Sequence, residues 1–453
     1  MGLEFVGDAI SLSGLTGTKL KCDVIGSYYP FWWKITSGGK SLHYGKSTAI
    51  VELYAATGED YIKETGETVL GSAGHALDLK VNNLGETDID TSNLKIILTE
   101  ENADCYAHLK KVIERRWPSV PIEQAEGPPE SNSSNIYLLK KNLDDALAAI
   151  EHISLGNAIY YFDPLRSIEW TTVEKVARKR IKNRLQTGTE FIIFLFTSDW
   201  FLGRDEFVAL PETAQEEKWS KEQKATVTEA DELFGNDKWR KYVLNAEPVG
   251  KRQSRFIMLY KIRLWKWFRY VLAMPFAPKK EQLFHLVLCS NYDAGIKMTK
   301  DSFASKTGNP TYLPGRSPQE NAYAMFKKTH PEIATSTNGR RKPLAWRILW
   351  KTLKYHEDGM RDCLCKDFQE IEPNAASLAS ALMWLHSKDY LEPINIQSAW
   401  KVPIARFTVK WQTSENRLNI KQPPKLKPIS PEEFKEFLWR KRADAFKAKE
   451  EIE

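Results

Sequence analysis

Ala49-Ile50-Val51-Glu52-Leu53-Tyr54-Ala55-Ala56-Thr57-Gly58 (AIVELYAATG) is the stretch from which the fold is read. Its first six residues are apolar apart from Glu52, and it ends on small residues and a glycine. That pattern predicts a short strand buried on both faces, then a turn whose backbone can approach a ligand closely. Working outward, similar runs recur at Leu94–Thr99 (LKIILT), Ile136–Leu139 (IYLL), Ala158–Phe162 (AIYYF) and Phe191–Phe196 (FIIFLF). Helical patterns lie between them at Ala103–Arg116, Leu143–His152 and Thr172–Leu185. Such alternation predicts an α/β fold, a doubly wound Rossmann-like sheet with right-handed crossovers.

A helical, Trp-rich section follows from Glu212 to Phe276, and Leu283–Cys289 (LFHLVLC) reads as a strand returning to the same sheet. We therefore expect an α/β domain over residues 1–305 with a helical, basic and aromatic insertion at about 205–280. Gly and Pro punctuate 306–318 (KTGNPTYLPGRSP), which reads as a linker. In 319–412, Pro343–Tyr355 is helical, and Asn374 can cap a helix carrying Leu378, Leu382 and Leu385 on one face. Strands at Leu391–Ile396 and Ile404–Trp411 then complete a winged-helix-like pattern. The tail, 413–453, holds a terminal helix behind the capping box Ser430-Pro431-Glu432-Glu433.

Composition narrows the function classes. The chain has 453 residues, 42% hydrophobic and 27% charged, with 15 Trp, 17 Tyr and 20 Phe, enough for a large core and unlike a disordered or disulfide-stapled chain. No apolar run is long enough to span a membrane, and no basic flank precedes an apolar stretch at the start, so the expected location is the cytoplasm. The five cysteines are scattered, with Cys363 and Cys365 forming a lone C-x-C, so no metal site is expected. His75, His108, His152 and His285 form no H-E-x-x-H pattern, and there is neither a nucleophile elbow nor a phosphate loop.

Ligands of an open α/β sheet bind outside the carboxyl ends of its strands, at the point where strand order reverses. Three positions there are informative: the turn Glu52 to Gly58, the carboxylates Glu100 and Glu101 after the second strand, and Asp163-Pro164 after the fourth. A carboxylate at the second position can accept both hydroxyls of a ribose. With a single glycine and no G-x-G-x-x-G, the set suits S-adenosyl-L-methionine better than a dinucleotide. The plainer reading of each acid alone is a solvated helix cap.

In this order the elements resemble the three-Cys-motif partner proteins, a bacterial and phage group with a class I methyltransferase-like domain. IVELYAATG stands where that family has D-L-F-A-G-x-G, and Gly71-Ser72-Ala73 where it has G-S-P. Leu98-Thr99-Glu100-Glu101-Asn102 is similar to its F-I-E-x-[ND], and Tyr161 to Leu165 with Ile168 to Thr172 to its F-I-D-P-F and W-x-T. Leu233 to Trp239 resembles its F-G-x-x-x-W element, and His285 to Asp301 its late strand and turn. The resemblance covers roughly residues 20–305 and implies S-adenosyl-L-methionine as cofactor. Glu52, Tyr54, Ala55, Ala56, Thr57 and Gly58 would line the methionine and ribose, Glu100 and Glu101 the ribose hydroxyls, and Asn142 the adenine. Asp163 and Pro164 would orient a methyl acceptor.

The chain departs from the pattern at Glu52 for Asp, Ala56 for Gly, Asn142 for an acid, and Asp163-Pro164-Leu165 for Asp-Pro-Pro-aromatic. Two functions follow as expectations. The first is a methyltransferase acting on nucleic acid, DNA in preference to RNA, in a modification system or in phage–host conflict and antiviral defence. The second is a degenerate methyltransferase fold serving as a nucleic-acid-binding or assembly subunit. For that role the resemblance implies a three-Cys-motif partner that looks like a radical S-adenosylmethionine enzyme.

Net charge is +6, modest for the length, but no acid lies between Glu247 and Glu281. Lys251, Arg252, Arg255, Lys261, Arg263, Lys266 and Arg269 there can neutralise phosphates. Phe256, Tyr260, Leu264, Trp267 and Val271 recur at helical spacing, which predicts that most of the aromatics pack inward. Arg340, Arg341 and Lys342 form a second basic cluster, placed to meet a duplex beside a winged helix.

Overall fold

The computed structural model describes residues 4–12, 16–37, 47–82, 90–118, 122–124, 136–153, 155–164, 168–181, 188–196, 213–244, 252–279, 282–307, 391–395 and 406–409. The chain divides into two units, Met1–Thr307 and Gly308–Glu453. Strands in the first are β1 (Phe5–Val6), β2 (Ala9–Leu12), β3 (Ser47–Glu52), β4 (Glu59–Ile62), β5 (Glu67–Leu70), β6 (Leu94–Thr99) and β7 (Glu123–Gln124). They continue with β8 (Ile136–Leu139), β9 (Leu155–Phe162), β10 (Thr189–Phe196), β11 (Tyr270–Lys279) and β12 (Gln282–Ser290). Its α-helices are α1 (Thr16–Ser37), α2 (Ser72–Asn82), α3 (Ala103–Arg116), α4 (Leu143–Glu151), α5 (Trp170–Arg180), α6 (Lys221–Phe234), α7 (Trp239–Val243), α8 (Arg252–Leu264) and α9 (Asp293–Thr307).

The main sheet runs β11-β12-β10-β9-β3-β6-β8-β7. β9, β3, β6, β8 and β7 pair in parallel, as do β9 and β10, while β12 lies antiparallel between β10 and β11. The chain therefore leaves β3 in one direction through β6 and β8, then returns to the other side through β9 and β10. That reversal at β3 and β9 is the switch point of a Rossmann-like sheet, as expected. The central strands are largely buried: β6 at every residue, β3 at all but Ser47 and β9 at all but Gly156 and Asn157.

Helix starts follow local chemistry. Asn102 caps α3 by accepting from the amides of Asp104 and Cys105. Ser220 and Gln223 form a capping box on α6, and Gly235 ends that helix at φ 64°. Cys22, Cys105 and Cys289 are free, buried thiols.

Four features depart from the sequence reading. α1 was not anticipated, although Val24, Ile25, Tyr28, Tyr29, Trp32 and Trp33 are all buried. A hairpin, β4–β5, intervenes between the Gly58 turn and α2, and joins β1 and β2 in a separate small sheet, β1-β2-β4-β5. Tyr270 to Phe276 belongs to β11 and not to the helical insertion, so α8 ends at Leu264 and Val271 is a strand residue. Periodicity misled there because this edge strand is as apolar as a helix stripe. Finally, α5 starts at Trp170 and ends at Arg180, shorter at its far end than the pattern suggested.

Among the described residues the second unit has one hairpin, β13 (Leu391–Asn395) and β14 (Arg406–Val409), within the two strands expected there. Arg340, Arg341, Lys342, Asn374 and the terminal helix lie outside the described residues. No helix among the described residues is long and apolar enough to cross a membrane.

Candidate functional site at the carboxyl ends of β3, β6 and β9

The turn after β3 is pinned by its neighbours. The Leu53 amide donates to the Tyr161 carbonyl at 3.2 Å, and the Ala55 amide to the Thr99 carbonyl at 2.9 Å. Ala56 has φ 50°, the left-handed region a β-carbon disfavours. Its amide donates to Glu100 Oε2 at 2.8 Å, while Glu100 Oε1 accepts from the Asn102 amide at 2.8 Å. The Thr57 hydroxyl donates to the Glu59 carbonyl at 2.5 Å.

Gly58, at φ 73°, accepts from the Gly71 amide at 2.9 Å, and a β-carbon on it would stand 2.8 Å from Leu109. A β-carbon on Gly74 would meet the Gly58 carbonyl at 2.6 Å, so α2 begins pressed against this turn. The glycines are required here by close backbone approach.

Beneath the turn lies a buried group of acids. Glu52 is fully buried; Oε1 accepts from the Tyr29 hydroxyl at 2.6 Å and Oε2 from the Ser72 hydroxyl at 2.9 Å. Burial pushes its carboxyl up to about 8 despite those two hydrogen bonds. Asp60 is raised to about 6, again by burial, with Lys21 opposing. Asp163 Oδ2 accepts from Lys21 Nζ at 2.5 Å and from the Tyr161 hydroxyl at 2.9 Å. The two ion-paired side chains are only 10% and 18% exposed. Burial pulls the Lys21 ammonium down most strongly, but the Asp163 charge and hydrogen bond, with its other neighbours such as Asp60, together hold the group above its usual value. Two acids, Asp163 and Asp60, thus act on one ammonium, while Glu52 beside them is largely protonated at neutral pH.

The expected cofactor residues divide into three groups. Glu52, Ala55, Ala56, Thr57, Gly58 and Glu100 gather at the switch point, with half-buried Tyr54 beside them; burial, with Glu169 and Glu101 nearby, pushes its hydroxyl up to about 12. Burial likewise raises Glu100, against the amide hydrogen bonds it accepts. Glu101 is exposed, outside the hydrogen-bonded turn. Asn142 is also exposed and caps α4: Oδ1 accepts from the Asp145 amide at 3.0 Å and Nδ2 donates to the Asp145 carboxylate at 2.8 Å. For Asn142 the plain structural reading therefore has a geometric basis. Asp163 and Pro164 follow β9 as read from sequence, and Leu165 lies outside the described residues.

Sequence reasoning missed Lys21 and Asp60. A signal for Lys21 existed: it sits on the buried stripe of α1, four residues before Ile25 and seven before Tyr28, where a lone cation needs a buried partner. Asp60 carried none, because nothing local announces the hairpin that brings it in.

The basic stretch does not form one exposed face. Arg252 is 5% exposed and donates to the Leu244 carbonyl at 2.6 Å, and Lys261 is 6% exposed. Neither presents its charge to phosphate, which corrects the expectation for both. Arg263 packs its guanidinium 4.1 Å from the Trp170 ring centre. Arg255 and Arg269 are exposed, Lys266 is half-buried, and Lys251 lies outside the described residues. Phe256, Tyr260 and Leu264 are fully buried, in keeping with the inward-packing expectation, and Phe256 and Tyr260 make edge contacts with Phe234 at 4.9 and 6.0 Å.

No protein-family model and no curated protein matches the chain. Among solved structures, a Legionella pneumophila protein of the DUF519 family shares 8% identity and a TM-score of 0.32, covering 64% of this chain and 95% of that one. Trm1 from Pyrococcus horikoshii, solved in complex with S-adenosyl-L-methionine, shares 12% identity and a TM-score of 0.30, covering 91% of this chain and 98% of its own. Both likenesses are distant, and the fold assignment rests instead on the strand order and register above.

Proposed function

We propose that this chain binds S-adenosyl-L-methionine in a methyltransferase-like site and acts on nucleic acid, DNA in preference to RNA. The observation that carries the reading is the joining of the turn after β3 to the acid after β6, through the Ala56 amide and Glu100 Oε2. Each carboxylate oxygen has two lone pairs, so Glu100 can still accept ribose hydroxyls while it holds the turn. The strand order, with β12 reversed beside β10, supports the methyltransferase-like reading of the sheet.

The residues present fit such a ligand. Its sulfonium and ammonium are cationic, and Asp60 and Asp163 supply negative charge near the turn, while buried Glu52 is largely protonated at neutral pH. When bound, the cofactor would supply an electrophilic methyl group. The protein's part is alignment: the turn fixes one end of the ligand, and Asp163, held by Lys21 and Tyr161 through Oδ2, keeps Oδ1 to orient an acceptor. Calorimetric titration with S-adenosyl-L-methionine tests this. Micromolar binding that is lost in Glu100→Ala is expected; no heat from the folded protein overturns it.

The second reading is a degenerate site in an assembly subunit, with the three-Cys-motif protein as companion. It is favoured by the Lys21–Asp163 ion pair, which occupies one acceptor oxygen, and by the β-carbon at Ala56. Methyl-label transfer to DNA or RNA, with Asp163→Ala as control, separates the two. Label that depends on Asp163 supports catalysis, whereas cofactor binding without transfer supports the subunit.

A further inference from the structure

α5 and the turn after α8 bring together cations that are far apart in sequence. Arg178 stands 5.9 Å from the Trp267 ring centre and Lys266 stands 5.4 Å from it, so two cations share one half-buried indole. Arg178 is 63% exposed and Lys266 30% exposed, and both lean on a single carboxylate, Glu174, at 2.8 and 3.7 Å. Arg269 is exposed beside them, 5.1 Å from the Tyr270 ring centre, and makes no ion pair among the described residues. Its position is fixed: the Arg269 amide donates to Asn291 Oδ1 at 2.8 Å, and Asn291 Nδ2 donates to the Trp267 carbonyl at 3.4 Å. Lys175 and Lys179 continue α5, each paired with an exposed acid of α4, Asp144 and Glu151. Surface pairs of that kind are worth under about 1 kcal/mol, so a polyanion can displace them.

This strip leads away from Asp163. α5 starts at Trp170, near the carboxyl end of β9, and its last residue, Arg180, donates to the Leu155 and Gly156 carbonyls at the other end of that strand. From Trp170 to Arg178 the helix rises about 12 Å, about four nucleotides at the 3.4 Å per-strand rise of a duplex and fewer for an extended single strand.

We infer that Arg178, Lys266 and Arg269 form a phosphate-binding strip that holds a nucleic-acid strand whose other part lies at the Asp163 end of the sheet. It rests on the nucleic-acid part of the proposed function and replaces the exposed helix face expected from sequence, since α5 contributes to it while Arg252 and Lys261 do not.

The test is fluorescence anisotropy with a labelled 20-nucleotide single strand, DNA or RNA, across a salt series. We expect the triple variant Arg178→Gln, Lys266→Gln, Arg269→Gln to bind at least about tenfold more weakly at 0.1 M salt, with the log–log salt slope reduced by about 2. A control triple, Lys63→Gln, Lys110→Gln, Lys111→Gln, removes the same net charge elsewhere and should bind as the unaltered chain does. Arg178→Lys with Arg269→Lys keeps charge and should retain the slope. Equal losses in both triples, an unchanged slope in the first, or no strand binding by the unaltered chain would overturn the strip. Titration with S-adenosyl-L-methionine on the same proteins reads the cofactor site separately, so failure of one is visible beside survival of the other.

Discussion

Ala56 holds a left-handed conformation that costs a residue with a β-carbon about 1–2 kcal/mol, offset in part by the entropy a glycine would lose. Ala56→Gly is therefore expected to stabilise the fold by about 0.5 kcal/mol in urea titration, and to tighten cofactor binding if the methyl obstructs it. Glu52 is the opposite case, a residue whose charge costs stability. Glu52→Gln keeps an acceptor for Tyr29 while removing a charge that burial disfavours up to about pH 8. Its thermal midpoint should exceed that of the unaltered chain at pH 8 while cofactor affinity falls. A lower midpoint would mean that the ionised form is stabilised in the fold. For Lys21, loss of the ammonium leaves Asp163 part-buried and unpaired, and Lys21→Met should cost about 3 kcal/mol, near the low end for breaking such a pair.

At the scale of elements, the turn after β3 works because three glycines meet across two segments. Gly58→Ala combines φ 73° with a 2.8 Å approach to Leu109, and should destabilise by about 2 kcal/mol or more, with loss of cofactor binding. α1 and α2 cross equally tightly, since a β-carbon on Gly26 would stand 2.5 Å from His75. Strand and helix patterns were legible wherever periodicity is local: β6, β8 and α3 lie where the sequence predicted them. Elements that depend on distant partners were not. The β4–β5 hairpin gains its place by pairing with β2, which no window of neighbouring residues contains.

Over the whole molecule, buried titratable groups set an unusual pH dependence. Glu52 and Glu190 are raised by burial to about 8 and about 7, Glu190 despite hydrogen bonds from Tyr28 and Ser290. Between about pH 4.5 and 8 the native state holds protons that the unfolded chain has released, so stability falls as pH rises. Below pH 6.5 His285, held near 3 by burial and by Lys261, acts the other way: the unfolded chain takes up a proton that the native state refuses. The raised acids outnumber that one histidine, so thermal midpoints should fall steadily from about pH 5 to pH 8, and Glu190→Gln should flatten the decline. A midpoint that rises steadily from pH 6 to 8 would contradict the buried-acid assignment.

The strand and helix alternation, the switch-point turn from Glu52 to Gly58, and the acids Glu100 and Asp163 at strand ends are legible in the order of residues alone. These are local, because apolar period and a residue's place just after a strand are both written in neighbouring positions. That Lys21 pairs with Asp163, that Asp60 joins them, that Arg252 and Lys261 are buried, and that Arg178 meets Trp267 emerges from the folded chain alone. Burial and charge pairing depend on which elements pack together, and that is a property of the assembled sheet and its helices.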